Sequence, residues 1–199
     1  MSLLNILSLI LFIVFLSSYS LKLVILYKKN KISANVLAKG KKDKKIKVVE
    51  TTVKISTFIW GLTWITEIFV GQSLNKSLYI LFSSTLLNYI GILITAIGVS
   101  IFVIAMISMK TSWRVGIDKN TKTKLVSYGI YNYSRNPAFV GFDLMFIGLF
   151  LIYPNILTSI VLILNIIAIH RLILQEEKHL KNLFGTEYIA YKEKTPRYL

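Results

Sequence analysis

Residues 125–141, LVSYGIYNYSRNPAFVG, gather Tyr128, Tyr131, Tyr133, Arg135 and an Asn136-Pro137 pair just ahead of a long apolar run. Tyrosine faces stack on flat rings, and Gly129 permits a sharp backbone turn. Asn136 is a favourable helix cap and Pro137 suits a first helical turn, so the end of this loop reads as a plain helix start. The same start would also turn free N–H groups and a positive dipole toward a carboxylate or phosphate. Spacing alone leaves both readings standing.

A second group of chemically capable side chains closes the chain, HRLILQEEKHLKNLFGTEYIAYKEKTPRYL. Arg171 lies one helical turn before Gln175, and Glu176 follows. Glu177 and Lys181 have the i,i+4 spacing of an exposed ion pair. An arginine at the edge of an apolar run either anchors its helix at the interface or grips an anion with its planar fork. Glu176 and His179 are spaced as half a metal site, but no matching second half exists, so no metal is expected. Glu67 and Asp143 interrupt apolar runs, which makes each a site candidate. Trp113-Arg114 reads as an interface anchor.

These residues must be positioned by membrane helices. Of 199 residues 54% are hydrophobic, and the charged 17% fall in blocks between apolar runs. That pattern belongs to spans and their loops rather than to a soluble surface. The net charge of +15 reads as topology signal and anionic-lipid contact, with no nucleic-acid partner expected. There is no cysteine, hence no thiol chemistry. The N-terminal run lacks a basic start and a small-residue cleavage site, and reads as a retained helix.

Apolar runs cover residues 3–27, 55–70, 78–109, 139–153 and 156–173. A span takes about 20 residues, so the 32-residue third run is either one long helix or two short ones broken near residues 88–91. Charge decides between them. Segments 28–54, 110–135 and 171–197 hold ten, six and six Lys plus Arg, leaving Lys22 and Lys76 elsewhere. The positive-inside rule puts all three segments in the cytoplasm only if residues 78–109 cross once. The expected fold is therefore an all-α integral membrane protein with five transmembrane helices, the N-terminus outside, a C-terminal helical hairpin turning at Pro154-Asn155, and a cytoplasmic C-terminal helix. Three stretches make one unit: 1–54 (first span and basic loop), 55–109 (second and third spans) and 110–199 (loop, hairpin and tail).

The order LV-x-x-G-x-Y-x-x-x-R-x-P-x-aromatic-x-G, an apolar hairpin, then EE-x-x-L-x-x-x-FG-x-E-Y-x-x-Y resembles the isoprenylcysteine carboxyl methyltransferase family and, more distantly, the phospholipid N-methyltransferases. Leu125, Val126, Gly129, Tyr131, Arg135, Pro137, Phe139 and Gly141 carry the first part. Glu176, Glu177, Leu180, Phe184, Gly185, Glu187, Tyr188 and Tyr191 carry the second. The resemblance covers residues 91–197, about half of the chain. It implies a multi-span enzyme that uses S-adenosylmethionine (SAM), bound between the loop, the hairpin and the C-terminal helix. Residue by residue it implies a cofactor site of Leu125, Val126, Tyr131, Arg135, Asn136, Pro137, Ala138, Phe139 and Glu176. It gives Arg171 and Glu176 catalytic roles, Arg171 toward substrate. Asn136 stands where the family usually has His, and Phe139 where it usually has Tyr. Asn keeps a neutral hydrogen-bonding group but is no acid or base; Phe keeps the ring without the hydroxyl.

Methyl transfer from a sulfonium asks an enzyme mainly to align a nucleophile and exclude water. The expected function is thus methyl transfer to a lipophilic or lipid-linked carboxylate, amine or thiol that arrives sideways from the bilayer. A carboxylate would need a cation such as Arg171; an amine or thiol would need a base, Glu176 or Asp143. Two other readings stay open: an NAD(P)H-dependent membrane reductase of the sterol reductase class, and a non-catalytic protein with a degenerate pocket. The richness in Ile, Lys and Asn points to a bacterial cytoplasmic membrane.

Overall fold

A computed structural model describes residues 1–74, 79–118 and 123–198, the backbone alone at 72–74. Residues 75–77 of the polar link expected at 71–77, with Lys76, and residues 119–122 of the basic loop expected at 110–135 lie outside these residues.

The described chain is helical: α1 Leu3–Asn30, α2 Lys44–Leu74, α3 Thr85–Ser108, α4 Pro137–Ile152, α5 Ile156–Phe184 and α6 Thr186–Lys194. Four helices, α1, α2, α3 and α5, are long and apolar enough to cross a membrane, and the protein is an integral membrane protein. Their ends follow local chemistry. Ser2 caps α1 by accepting from the Asn5 N–H, and Lys31 closes it in the left-handed region at φ 56°. Asn155 and Thr158 form a reciprocal capping box that starts α5 directly after the Pro154 turn.

Three boundaries differ from expectation. The third apolar run is a single helix without a break at residues 88–91, but it starts only at Thr85, capped by Ser84. The second helix starts at Lys44, well before its apolar run. It carries Lys44, Lys45 and Lys47 on an exposed face while Glu50 and Val53 are buried. α5 continues past the apolar run to Phe184. At about 1.5 Å per residue its 29 residues extend about 44 Å, so a turn or more projects beyond about 30 Å of hydrocarbon. That projection holds Glu176 and Glu177.

α4 has 16 residues, about 24 Å of helix, and is mostly buried. It lies backbone to backbone on α3 through two pairs of glycines spaced seven residues apart. A Cβ at Gly98 would come within 2.7 Å of the Gly141 carbonyl oxygen, and one at Gly91 within 2.9 Å of the Gly148 oxygen. Small residues at such a crossing let van der Waals packing hold helices that lipid does not drive together. Polar bonds tie the other helices: Trp64 Nε1 donates to Ser8 Oγ at 2.8 Å between α2 and α1, and Asn165 Nδ2 to the Ser56 carbonyl at 3.2 Å between α5 and α2. An aromatic cluster fills the centre, with Phe15, Trp60, Phe102, Phe142 and Phe146 in mostly edge-to-face contact at ring separations of 5.1–6.2 Å.

Candidate active site

The end of the bundle formed by the α1–α2 loop, the α3–α4 loop and the C-terminal part of α5 encloses a cavity of about 940 Å³. This is the upper end of the range for small-molecule pockets. Its floor is the aromatic cluster, reached through Phe15, Trp60, Phe102 and Phe142. Its polar wall holds Glu176 and His179 of α5 with Arg114 and Asp118.

Two buried ion clusters shape that wall. Glu50 is fully buried and accepts from the Ala38 N–H at 2.9 Å, the Ile117 N–H at 2.7 Å and Lys42 Nζ at 2.7 Å. It thereby joins the first basic loop to the segment after α3. The two strands of chain also meet at Val36 N–H to Val115 O (3.0 Å) and Val115 N–H to Ala34 O (2.9 Å). Gly116 sits at φ +89°, and a Cβ there would lie 2.8 Å from Glu50 Oε1, so both conformation and space call for glycine.

The second cluster centres on Glu177. It is buried, not exposed as its spacing to Lys181 suggested, and receives Arg135 Nη2 at 2.8 Å and Arg197 Nη2 at 2.9 Å. Arg135 also donates its backbone N–H to Pro196 O at 2.9 Å and Nη1 to Lys192 O at 3.2 Å. Asn136 occupies the position before α4, yet its side chain makes no cap. Its Nδ2 instead donates to Arg197 O at 3.1 Å and Glu177 Oε1 at 3.4 Å. The tail is thus strapped across the loop 134–136. Farther along, Tyr198 stacks on His170, with its hydroxyl 2.6 Å from Nδ1. The bond to Glu177 pushes the Arg197 guanidinium above its ordinary pKa, so it stays charged.

The structure brings most of the expected site residues together. Leu125, Val126, Tyr131, Arg135, Asn136, Ala138, Phe139 and Glu176 all line the cavity. Pro137 is buried at the first turn of α4 behind them. Tyr131 turns inward, and its carbonyl accepts from Tyr191 OH at 2.7 Å. Burial pushes both phenols above their ordinary pKa, which keeps them neutral hydrogen-bonding groups. Tyr128 and Tyr133 are exposed. Arg171 is exposed on α5 and is not among the lining residues. Trp113 is buried against Phe102 rather than facing an interface, and Arg114 pairs with Asp118 at 3.0 Å. Asp143 is half-buried on α4, outside the cavity. No group of three metal-binding side chains occurs among the described residues.

Half-buried Glu176 makes no hydrogen bond to any described residue, whereas Glu50 and Glu177 are saturated. A cavity wall with one unengaged carboxylate suits a ligand bearing an ammonium or hydroxyl donors. The residues present therefore fit SAM, which carries both. Sequence reading missed Glu50, Lys42, Gly116 and Arg197. A lone Glu in a lysine-rich block and a lone Gly after Trp-Arg were the available signals.

A bundle of lipid-facing helices whose loops close over a cavity of mixed polarity defines an integral membrane protein with a ligand site at one end. Residues 86–187 match the family model described as phospholipid methyltransferase. With half of its length matched, the chain belongs to that family. Among curated proteins it is similar to the protein-S-isoprenylcysteine O-methyltransferases of Saccharomyces cerevisiae and Rattus norvegicus. The yeast protein is 32% identical over 115 residues, which are 56% of this chain and 48% of that one. The rat protein is 29% identical over 115 residues, 56% of this chain and 40% of that one. The match thus spans about half the length of these curated relatives or less.

Proposed function

We propose that this protein is a SAM-dependent membrane methyltransferase acting on a lipophilic or lipid-linked acceptor. One observation carries the reading: the cavity that presents Glu176 on its polar wall is continuous with an apolar part that reaches the lipid-facing surface. Leu16 of α1 and Phe58, Leu62 and Ile65 of α2 line that cavity and are also exposed on the outside of the bundle. A hydrophobic acceptor can then enter between α1 and α2 while a water-soluble cofactor enters from the loops.

Bound SAM supplies a methyl group already activated on a sulfonium. The chain's own residues supply placement. Glu176 would receive hydrogen-bond donors of the cofactor, and Tyr131, Ala138 and Phe139 would line its site. The Glu50 and Glu177 clusters hold the two loops shut against water. Asn136 is engaged by the tail, so it serves as a lock on the loop rather than as an acid or base. Arg171, outside the cavity, is assigned to the membrane interface, where a cation steadies α5.

We further assign five crossings, with α4 passing beside α3. The helices α1 to α5 run alternately, so the three basic segments share one end, which the positive-inside rule makes cytoplasmic. The N-terminus is then outside and the C-terminus inside, in a bacterial cytoplasmic membrane. Calorimetric titration of the purified protein with SAM and with NADPH tests the cofactor assignment: SAM binds and NADPH does not. Binding of NADPH alone would favour the reductase reading, and binding of neither the non-catalytic one.

A further inference from the structure

At the opposite end of the bundle a second cavity, of about 240 Å³, lies between the start of α1, the end of α2, the start of α3 and the α4–α5 turn. Its wall contains Glu67, only 1% exposed. Oε1 of Glu67 accepts from Asn155 Nδ2 at 2.7 Å, and Asn155 is equally buried. Oε2 has no partner among the described residues. Gly71, also in the wall, makes room for that oxygen, because a Cβ there would lie 2.7 Å from Oε2.

The neighbouring amides are already used. Asn5 donates to the Ile68 carbonyl at 2.8 Å and accepts from Tyr153 OH at 3.1 Å. Asn88 donates to the Leu151 and Ile152 carbonyls at 3.0 and 2.8 Å. Among the described residues, Oε2 of Glu67 lacks one donor or cation. A buried carboxyl without it is costly, and such groups in a membrane protein face a cavity or a partner.

We propose that this cavity binds the N–H-bearing ammonium headgroup of a membrane phospholipid, with Glu67 as its counter-charge. A hard metal ion would want about six oxygen ligands, and one spare carboxylate oxygen does not supply them. An ammonium can give one N–H to that oxygen and direct the others to water in the cavity, and the wall also contains the aromatic side chains of Phe82 and Tyr153, a residue type that attracts cations. At about 30 Å³ per water the cavity has room for about eight waters, or for a small headgroup. Ile80 in its wall and the adjacent Tyr79 and Leu81 are exposed apolar side chains where lipid would lie. The proposal rests on the membrane-spanning reading of the helices and is independent of the methyltransferase reading, since the two cavities lie at opposite ends.

The test uses the whole protein in vesicles of phosphatidylglycerol, of phosphatidylcholine, and of phosphatidylglycerol mixed with phosphatidylethanolamine. Glu67 is labelled with a membrane-soluble carbodiimide, read by peptide mass spectrometry with Asp143 as internal reference. Labelling of Glu67 relative to Asp143 is expected to be at least about tenfold slower in the ethanolamine lipid, and free ethylammonium added to phosphatidylglycerol vesicles is expected not to reproduce the protection. Equal labelling in all three lipids overturns the proposal. So does equal protection in all three that disappears in Lys76→Ala, since the chain would then supply its own ammonium. Protection by free ethylammonium overturns the lipid as the source.

Discussion

Arg135 and Glu177 meet at 2.8 Å, both side chains nearly excluded from water, and their bond ties the loop ahead of α4 to the projecting end of α5. The adjacent residues Glu176 and Glu177 thereby separate in role. Glu176 faces the cavity without a hydrogen-bond partner among the described residues, and Glu177 is consumed in holding the wall.

Substituting the two glutamates should have opposite signatures. Glu177→Gln leaves Arg135 buried without its counter-charge, and should lower stability by about 3 kcal/mol, the range for breaking a buried pair. Glu176→Gln should leave the unfolding temperature unchanged and weaken SAM binding by about 1–3 kcal/mol, the range for a hydrogen bond to a charged group. Unfolding in detergent and calorimetry on both variants check this; equal thermal losses would contradict the division.

The α3–α4 contact gives a glycine test. Gly98→Ala drives a methyl to 2.7 Å from a backbone oxygen, whereas nothing lies within 4 Å of a Cβ at Gly61. Gly98→Ala should therefore cost more than about 2 kcal/mol, in the range of overpacking in a close-packed interior. Gly61→Ala in α2 should be neutral or stabilising by up to about 1 kcal/mol. Comparable yields and unfolding temperatures for the two variants would refute the backbone-to-backbone packing.

Topology can be read with single cysteines, because the chain has none of its own. Tyr79→Cys should react with an impermeant thiol reagent on intact cells. Lys45→Cys and Lys192→Cys should react only after permeabilisation. All three positions are exposed. Labelling of Lys192→Cys from outside would break the alternation of five crossings.

Arg171 separates anchoring from substrate placement. As an exposed anchor it needs only a positive charge at the interface, which lysine supplies. Arg171→Lys should keep methyl transfer within about twofold of the parent, well under the 1.4 kcal/mol that a tenfold change represents. A loss of tenfold or more at unchanged SAM affinity would return Arg171 to the acceptor as a two-pronged grip.

Hydrophobic run length makes the helices legible in the amino-acid sequence, because a span is a property of consecutive residues. The cavity lining from Leu125 to Phe139 and Glu176 is legible through the order of the loop and tail motifs, which is read along consecutive residues. The partners of Glu177 are not. Local spacing offers Lys181, and only the fold brings Arg135, 42 residues away, and Arg197, 20 residues away, to the same carboxylate. Glu50 is hidden for a similar reason. Within a lysine-rich block it reads as a solvated charge, while its real partners include the Ile117 N–H, 67 residues later. Asn136 looks like a cap because capping is local; its use by the Arg197 carbonyl is not.

Transfer of a methyl group from SAM to a lipophilic acceptor can be measured without knowing the acceptor. Membranes containing the protein are incubated with SAM labelled in its methyl group, and label is counted in the organic extract. Label is expected in a lipid-soluble product with the parent protein, with a loss of about tenfold or more in Glu176→Gln at subsaturating SAM, equivalent to about 1.4 kcal/mol. Incorporation no greater than in membranes lacking the protein, across extracts from several sources and with SAM binding confirmed, would contradict methyl transfer as the function.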